Sequence, residues 1–270
     1  MSAGRTESWE GFGEAEWAGR LGVLQVELHR RIESTSDRAR ELVGFGEATP
    51  FVIVAERQSA GRGRRGRRWL SDSPRGLWLT VAIGSGGATA PTAPLRAGLA
   101  AARGIEEAAG LSNVQVRWPN DLVIEGRKVG GVLCEKVGAA LLVGVGVNLN
   151  HAPGDLAAVD QPATSVLAAT GRETPRGDAL AAIVRELLAG WTDSPSVLTS
   201  TEIAELSTRS ALAGRRLRVD GVVGEPSGSV RSVRNLSARA LAIASDGALE
   251  VVDDQGGRWR VVAGSIRPGG

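Results

Sequence analysis

The stretch "PFVIVAERQSAGRGRRGRRWLSDSPRGLWLTVAIG", residues 50–84, sets two short apolar runs around a loop of extreme composition. "PFVIVAERQ" and "GLWLTVAIG" are short, rich in β-branched and aromatic residues, and bounded by turn formers, so each reads as a buried strand. Between them, residues 61–68 hold five arginines and three glycines. Glycine permits positive φ and close backbone approach, and guanidinium presents forked donors to an anion. Three readings compete: a nucleic-acid tail, a solvated loop, and a loop that folds around a phosphate-bearing ligand. Gly-Arg segments usually belong to disordered low-complexity tails. This one is clamped between two core strands, which favours a ligand loop, disordered until an anion gathers its charges.

The whole composition supports a globular chain. With 270 residues, 42% of them hydrophobic, there is enough for one sizeable core and a smaller second domain. The apolar run "ALLVGVGV" falls far short of the roughly 20 residues that cross a bilayer. "MSAGRTESWEGFGEAEWAGR" carries no apolar signal core, and a cytoplasmic protein without membrane contact is expected. A single cysteine, Cys134, excludes an internal disulfide, and His29 and His151 are too few for a zinc-type cluster. Any metal must be hard and oxygen-bound. The net charge of +2 argues against a nucleic-acid partner. Among 32 basic residues only Lys128 and Lys136 are lysine. A surviving lysine marks a place where a compact ammonium is not exchangeable for a planar guanidinium.

Residues 1–20 are polar, glycine-bearing and without period, and read as a disordered tail. "VLQVELHRR" alternates like a strand. "ESTSDRARELVG" reads as a helix capped by Ser34 or Thr35 and stopped at Gly44. "PLRAGLAAARGIEEAAG", "TPRGDALAAIVRELLAGW" and "STEIAELSTRS" are helical, whereas "VQVRW", "DLVI", "KVGGVLCEKV" and "ALLVGVGVNLN" are strand candidates. The fold class expected is α/β (α+β): a mixed sheet with flanking helices over residues 21–208. From 209 to 270 five short strands between glycine turns ("RRLRVD", "GSVRSVRNL", "RALAIA", "ALEVVD", "RWRVVAG") predict a small β barrel.

Three further patterns carry chemistry. In "RWPNDL" Pro119 ends a strand and Asn120 with Asp121 forms a turn. "GRKVGG" follows, so Lys128 faces that turn across a hairpin, as partner in a pocket or in a surface salt bridge. Gly130 and Gly131 imply that something large approaches the backbone there. "GVGVNLN" lacks the spacing of a dinucleotide-binding loop, and no P-loop occurs. Asn148 at that strand end is a candidate to read the edge of a base.

Taken together and in order, "ESTS", "ERQSAGRGRRGRRW", "RWPNDL", "GRKVGGVLCE", "GVGVNLN" and "DQPATSVL" resemble the biotin–protein ligase family across residues 21–270. The form resembled is monofunctional, without an N-terminal winged helix. The resemblance implies a mixed-sheet biotin/lipoate-ligase-like catalytic domain with a C-terminal SH3-like barrel. It implies ATP, Mg²⁺ and biotin as ligands, and a biotin carboxyl carrier protein or domain as partner to a monomer or weak homodimer. Nucleic acid is not implied as a partner. By family position, Ser34, Thr35, Gln58, Gly61, Arg62, Arg64, Lys128, Gly130 and Gly131 would bind biotin. Arg64, Arg67, Trp69, Asn120, Lys128 and Asn148 would bind ATP. Lys128, Asp121, Arg64 and Arg67 would act in catalysis, with no metal held by protein ligands. Cys134 is expected as a small core residue and Trp118 as a wall of the site. Glu33, Ser36 and Arg117 depart from the usual Asp, Asn and Lys, the last with its charge kept. A lipoate–protein ligase shares the adenylate chemistry and is the alternative within the fold. A basic nucleic-acid-binding module is the alternative outside it.

Overall fold

Each apolar run that flanks the arginine loop is a central strand of one sheet: β2 (Phe51–Ala55), buried throughout, and β3 (Leu77–Gly84). The structure, a computed structural model, describes residues 4–85, 92–157, 159, 161–191, 196–224 and 230–269. The sheet adds β1 (Gln25–His29), β4 (Gln115–Arg117), β5 (Asp121–Ile124), β6 (Arg127–Val137) and β7 (Ala140–Val147) in the order β1-β2-β3-β7-β6-β5-β4. Only β1 and β2 run parallel, so the sheet is mixed as expected.

Helices α3 (Thr92–Ala109) and α5 (Arg176–Trp191) cover one face together. They approach closely at Gly104, where a Cβ would lie 2.7 Å from the Ile183 backbone. On the opposite face α2 (Thr35–Gly44) packs on Phe51, Ile53, Ala82 and Leu142. The rest of that face is left to the arginine loop. Ser34 caps α2, its side chain accepting from the Asp37 N–H at 3.3 Å.

The disordered tail expected over residues 1–20 does not hold for the part described, while residues 1–3 lie outside the described residues. α1 (Glu14–Leu21) packs on the sheet edge with Trp9 and Trp17 only 3% and 1% exposed. Upstream of it, the Thr6 N–H donates to Leu28 O at 3.0 Å and Arg5 bridges to His29, so this segment closes the free edge of β1. That cover explains why β1 is buried nearly throughout instead of alternating.

After α4 (Val166–Thr170) and α6 (Ser200–Arg209), strands β8 (Arg216–Gly224), β9 (Val230–Ile243), β10 (Leu249–Asp253) and β11 (Arg258–Pro268) close a barrel in the order β10-β11-β8-β9. Two of the five expected strands, "GSVRSVRNL" and "RALAIA", run on as β9, with residues 228 and 229 outside those described. Asn235, inside the first of them, has φ 53, and the β8–β9 register shifts beside it. The barrel is tied to the sheet by the Trp118 indole N–H, which donates to Gly247 O at 2.9 Å. Among the described residues no helix is long and apolar enough to cross a membrane.

Candidate active site

Strand alternation builds the floor. On β7, Val143, Val145 and Val147 enter the core, so Gly144 and Gly146 face the other way. Gly146 pairs with Gly131 of β6 and Trp78 of β3, and Gly144 with Thr80. Glycines here leave a trough without side chains, and the Trp69 indole lies in it. A Cβ on Gly146 would sit 2.6 Å from Trp69 Nε1, and one on Gly131 would lie 3.6 Å from Cζ3. Trp69 meets Trp78 edge-on at 6.4 Å between centroids. Its Nε1 is buried without a hydrogen-bond partner.

At the N-terminus of α2 a second cluster forms from neutral groups. Gln58 Oε1 accepts from the Thr35 N–H (2.8 Å) and hydroxyl (3.1 Å), while Gln58 Nε2 donates to Ser71 Oγ (3.1 Å). Thr80 Oγ1 donates to Thr35 Oγ1 (2.9 Å) and also meets Ser36 Oγ (3.2 Å). All five residues and Ser34 are buried. Gly61 closes this pocket tightly: a Cβ there would lie 2.3 Å from Ser71 Oγ and 2.6 Å from Trp69 O.

Charge gathers on the other side of the trough. Lys128 Nζ lies 2.6 Å from Asp121 Oδ1 and 5.0 Å from the Trp69 ring centroid. Arg117 Nη2 donates to Asp121 Oδ2 at 2.8 Å, so one carboxylate answers two cations. From the loop, Arg64 Nη1 donates to Asn120 Oδ1 at 3.1 Å, and Asn120 Nδ2 donates to Val132 O at 2.7 Å. Burial, followed by the charge of Arg65, lowers the pKa of Arg64. It remains a cation, one poorly neutralised by its surroundings and therefore receptive to an anion.

The fold thus brings Lys128, Asp121, Asn120, Arg64, Trp69 and Gly131 around one trough, with Ser34, Thr35, Gln58 and Gly61 beside it. Other expected residues point elsewhere. Gly130 serves strand packing, since a Cβ there would meet Gly146 O at 2.8 Å. Arg62 turns to Asp37 and Glu135, and Arg67 is exposed. Asn148 is buried, with Nδ2 donating to Thr164 O at 3.1 Å. Cys134 packs against the core, where burial first of all pushes its thiol up to about 12. Sequence reasoning missed Gly144 and Gly146, although glycines two apart in a strand signal a bare stripe on one face. It also missed Ser71, Thr80 and a cavity of about 370 Å³ lined by residues that include Pro153, Leu156, Gln161 and Pro162. That cavity adjoins Lys128, whose N–H donates to Pro162 O at 2.9 Å.

Comparison with known proteins places this arrangement. The biotin/lipoate A/B protein ligase family model matches residues 28–150. The bifunctional ligase/repressor BirA of Bacillus subtilis is 33% identical over 162 residues, 55% of this chain and 48% of that protein. The match thus spans about half of that relative's length. The biotin--[acetyl-CoA-carboxylase] ligase of Mycobacterium tuberculosis is 30% identical over 208 residues, 74% of this chain and 76% of that protein. In fold the chain is similar to the biotin protein ligase from Aquifex aeolicus in complex with biotin and ATP: TM-score 0.74 at 21% identity, covering 90% of this chain and 99% of that one. With its mixed sheet, its C-terminal barrel and a mycobacterial relative matched over three quarters of its length, the chain belongs to the biotin–protein ligases of the biotin/lipoate A/B protein ligase family.

Proposed function

We propose that the chain joins biotin to ATP as biotinoyl-5'-adenylate and passes the biotinoyl group to a specific lysine of a biotin carboxyl carrier protein or domain. The observation that carries this reading is the pairing of two unlike clusters across one trough. A neutral hydrogen-bonding pocket suits an uncharged head group, and a cationic end with Lys128 and Arg64 suits a carboxylate meeting a phosphate.

In the first step a carboxylate oxygen bonds to the α-phosphorus while the bond from that phosphorus to pyrophosphate breaks. Two anions must meet, and at 4 Å their repulsion is about 4 kcal/mol at an effective dielectric near 20. Lys128 and Arg64 offset it and stabilise the charge that builds at the phosphorus. Arg67 would reach the same centre by a movement of the loop. Trp69 offers a stacking face for the adenine, and Asn148, whose Nδ2 is held by Thr164 O, would reach its edge only by a movement, as Arg67 would. In the second step the carrier amine loses a proton and bonds to the acyl carbon of the mixed anhydride, while the bond from that carbon to AMP breaks and AMP leaves. Asp121 accepts or orients that proton, a role worth typically 10²–10⁴-fold. The Arg117 and Lys128 contacts fix the orientation of the Asp121 side chain.

Among the described residues no three His, Cys, Asp or Glu side chains gather as metal ligands. Magnesium would therefore enter on the phosphates, as part of the nucleotide substrate, and no step above runs through it.

Incubation with ATP, labelled biotin and a carrier domain, followed by mass analysis, tests the proposal. A biotinoyl adduct on one carrier lysine, dependent on ATP, is expected. An adduct with lipoate and none with biotin would overturn it.

A further inference from the structure

We infer that Arg62 is the catch of the arginine loop, and that Asp37 on α2 and Glu135 on β6 are positioning residues that hold it. The consequence for biotin rests on the function proposed above, whereas the catch itself does not. Arg62 forks onto Glu135, Nη2 donating to Oε1 at 2.9 Å and Nη1 to Oε2 at 3.0 Å, and Nη1 also donates to Asp37 Oδ1 at 2.8 Å. This bidentate geometry is the strongest form of the pair and commits three of the five guanidinium donors. Arg40 Nη2 adds a bond to Glu135 Oε1 at 2.8 Å. The cluster thus holds two cations and two anions from three elements. Burial alone would lower the pKa of Arg62, but Glu135 and Asp37 outweigh it and raise it.

Position along the chain matches the role. Gly61 is fixed at the loop root, its carbonyl accepting from the Trp69 N–H at 2.8 Å. Arg62 is the next residue, and the following cation on this side of the loop, Arg64, turns across the trough to Asn120. The loop is therefore pinned on two flanks by different chemistry. Because Asp37 lies on the helix that begins with Thr35, the catch sets the loop in register with the neutral pocket. Losing it should weaken capture of biotin and leave the chemistry at Lys128 intact.

The test is limited trypsin digestion of the full chain, first without ligand, comparing wild type with Glu135→Gln and the double variant Asp37→Asn/Glu135→Gln. Cleavage within residues 62–68 should be about fivefold faster in the variants, the scale of a partly exposed ion-pair network. In about 0.5 M NaCl the wild type should approach the variants, which themselves change little. The biotin KM for adenylate formation should rise about fivefold with kcat held within about twofold, and Glu135→Asp should restore part of both. Equal cleavage and equal salt response in wild type and variants would overturn the catch. Faster cleavage with an unchanged biotin KM would overturn the positioning role. A wild type that takes up no biotin, with the cleavage difference intact, would sink the proposed function and leave the catch standing.

Discussion

The neutral pocket at α2 and the arginine loop lie side by side and are held by opposite means. In the pocket, Thr35, Ser36, Gln58, Ser71 and Thr80 are buried and satisfy one another through short-range hydrogen bonds. In the loop most residues are exposed and position depends on a few charged contacts. Buried networks lose several bonds at once when one member is removed, whereas exposed ion pairs give way gradually and respond to salt. The pocket is thus held by buried neutral bonds and the loop by a few charged ones.

The sharpest break in this comparison comes where the two meet. Lys128→Arg keeps the charge but not the compact head, and adenylate formation should fall about a hundredfold, or ~2.7 kcal/mol. A single-turnover rate above about a tenth of wild type would make Lys128 a structural residue. Next in size is Gln58→Leu, which strands the Thr35 N–H in the interior and removes the donor to Ser71 Oγ. It should cost about 2 kcal/mol of stability in a denaturant titration. A loss below about 0.5 kcal/mol would mean that the pocket is not one network.

Gly146→Ala probes the floor both regions share. Its Cβ would fall 2.6 Å from Trp69 Nε1, so the indole must lift from the trough. Nucleotide affinity should drop about tenfold, with a shifted tryptophan emission, while the pocket's stability is spared. Binding at wild-type strength would show that Trp69 is free to move without consequence.

An effect confined to acid pH is expected on the ionic support behind the pocket. Glu27 on β1 is buried, accepts from Arg38 of α2 at 2.9 Å through both oxygens, and lies 3.0 Å from His29 Nε2. Burial alone would raise its pKa, but the bonds to His29 and Arg38 and the charges of Arg5 and Arg38 bring it from 4.5 to about 2. The folded state therefore holds fewer protons than the unfolded between these values. Its stabilising contribution is complete above about pH 4.5 and is lost as pH falls through about 2. In acid unfolding, Glu27→Gln should flatten the limb in that window. An unchanged limb would move the acid sensitivity elsewhere.

How far the sequence foretold all this differs between the same two regions. The strands around the loop were legible because their apolar residues are contiguous and their turns explicit. Lys128 and Asp121 were legible because they stand in ordered motifs joined by a hairpin. The direction of Arg62 was not, since it is decided by Glu135, 73 residues away. The N-terminal segment was misread for a similar reason. Its order comes from Trp9 and Trp17 fitting against distant elements, with the Trp17 indole only 3.2 Å from where a Cβ on Gly177 would stand. Local period carries no trace of such contacts. In the barrel, residues 237–238 read as a break between two strands but continue one, β9.

Protection of the loop by its ligands tests the central claim most directly. The wild type is digested with dilute trypsin, alone and with biotin and ATP at about 100 times their dissociation constants. Ligand that binds only the closed form should slow cleavage within residues 62–68 about a hundredfold, a linkage of ~2.7 kcal/mol. Cleavage at the same rate with and without biotin and ATP would contradict the account, leaving the arginines a solvated loop beside a pocket they do not cover.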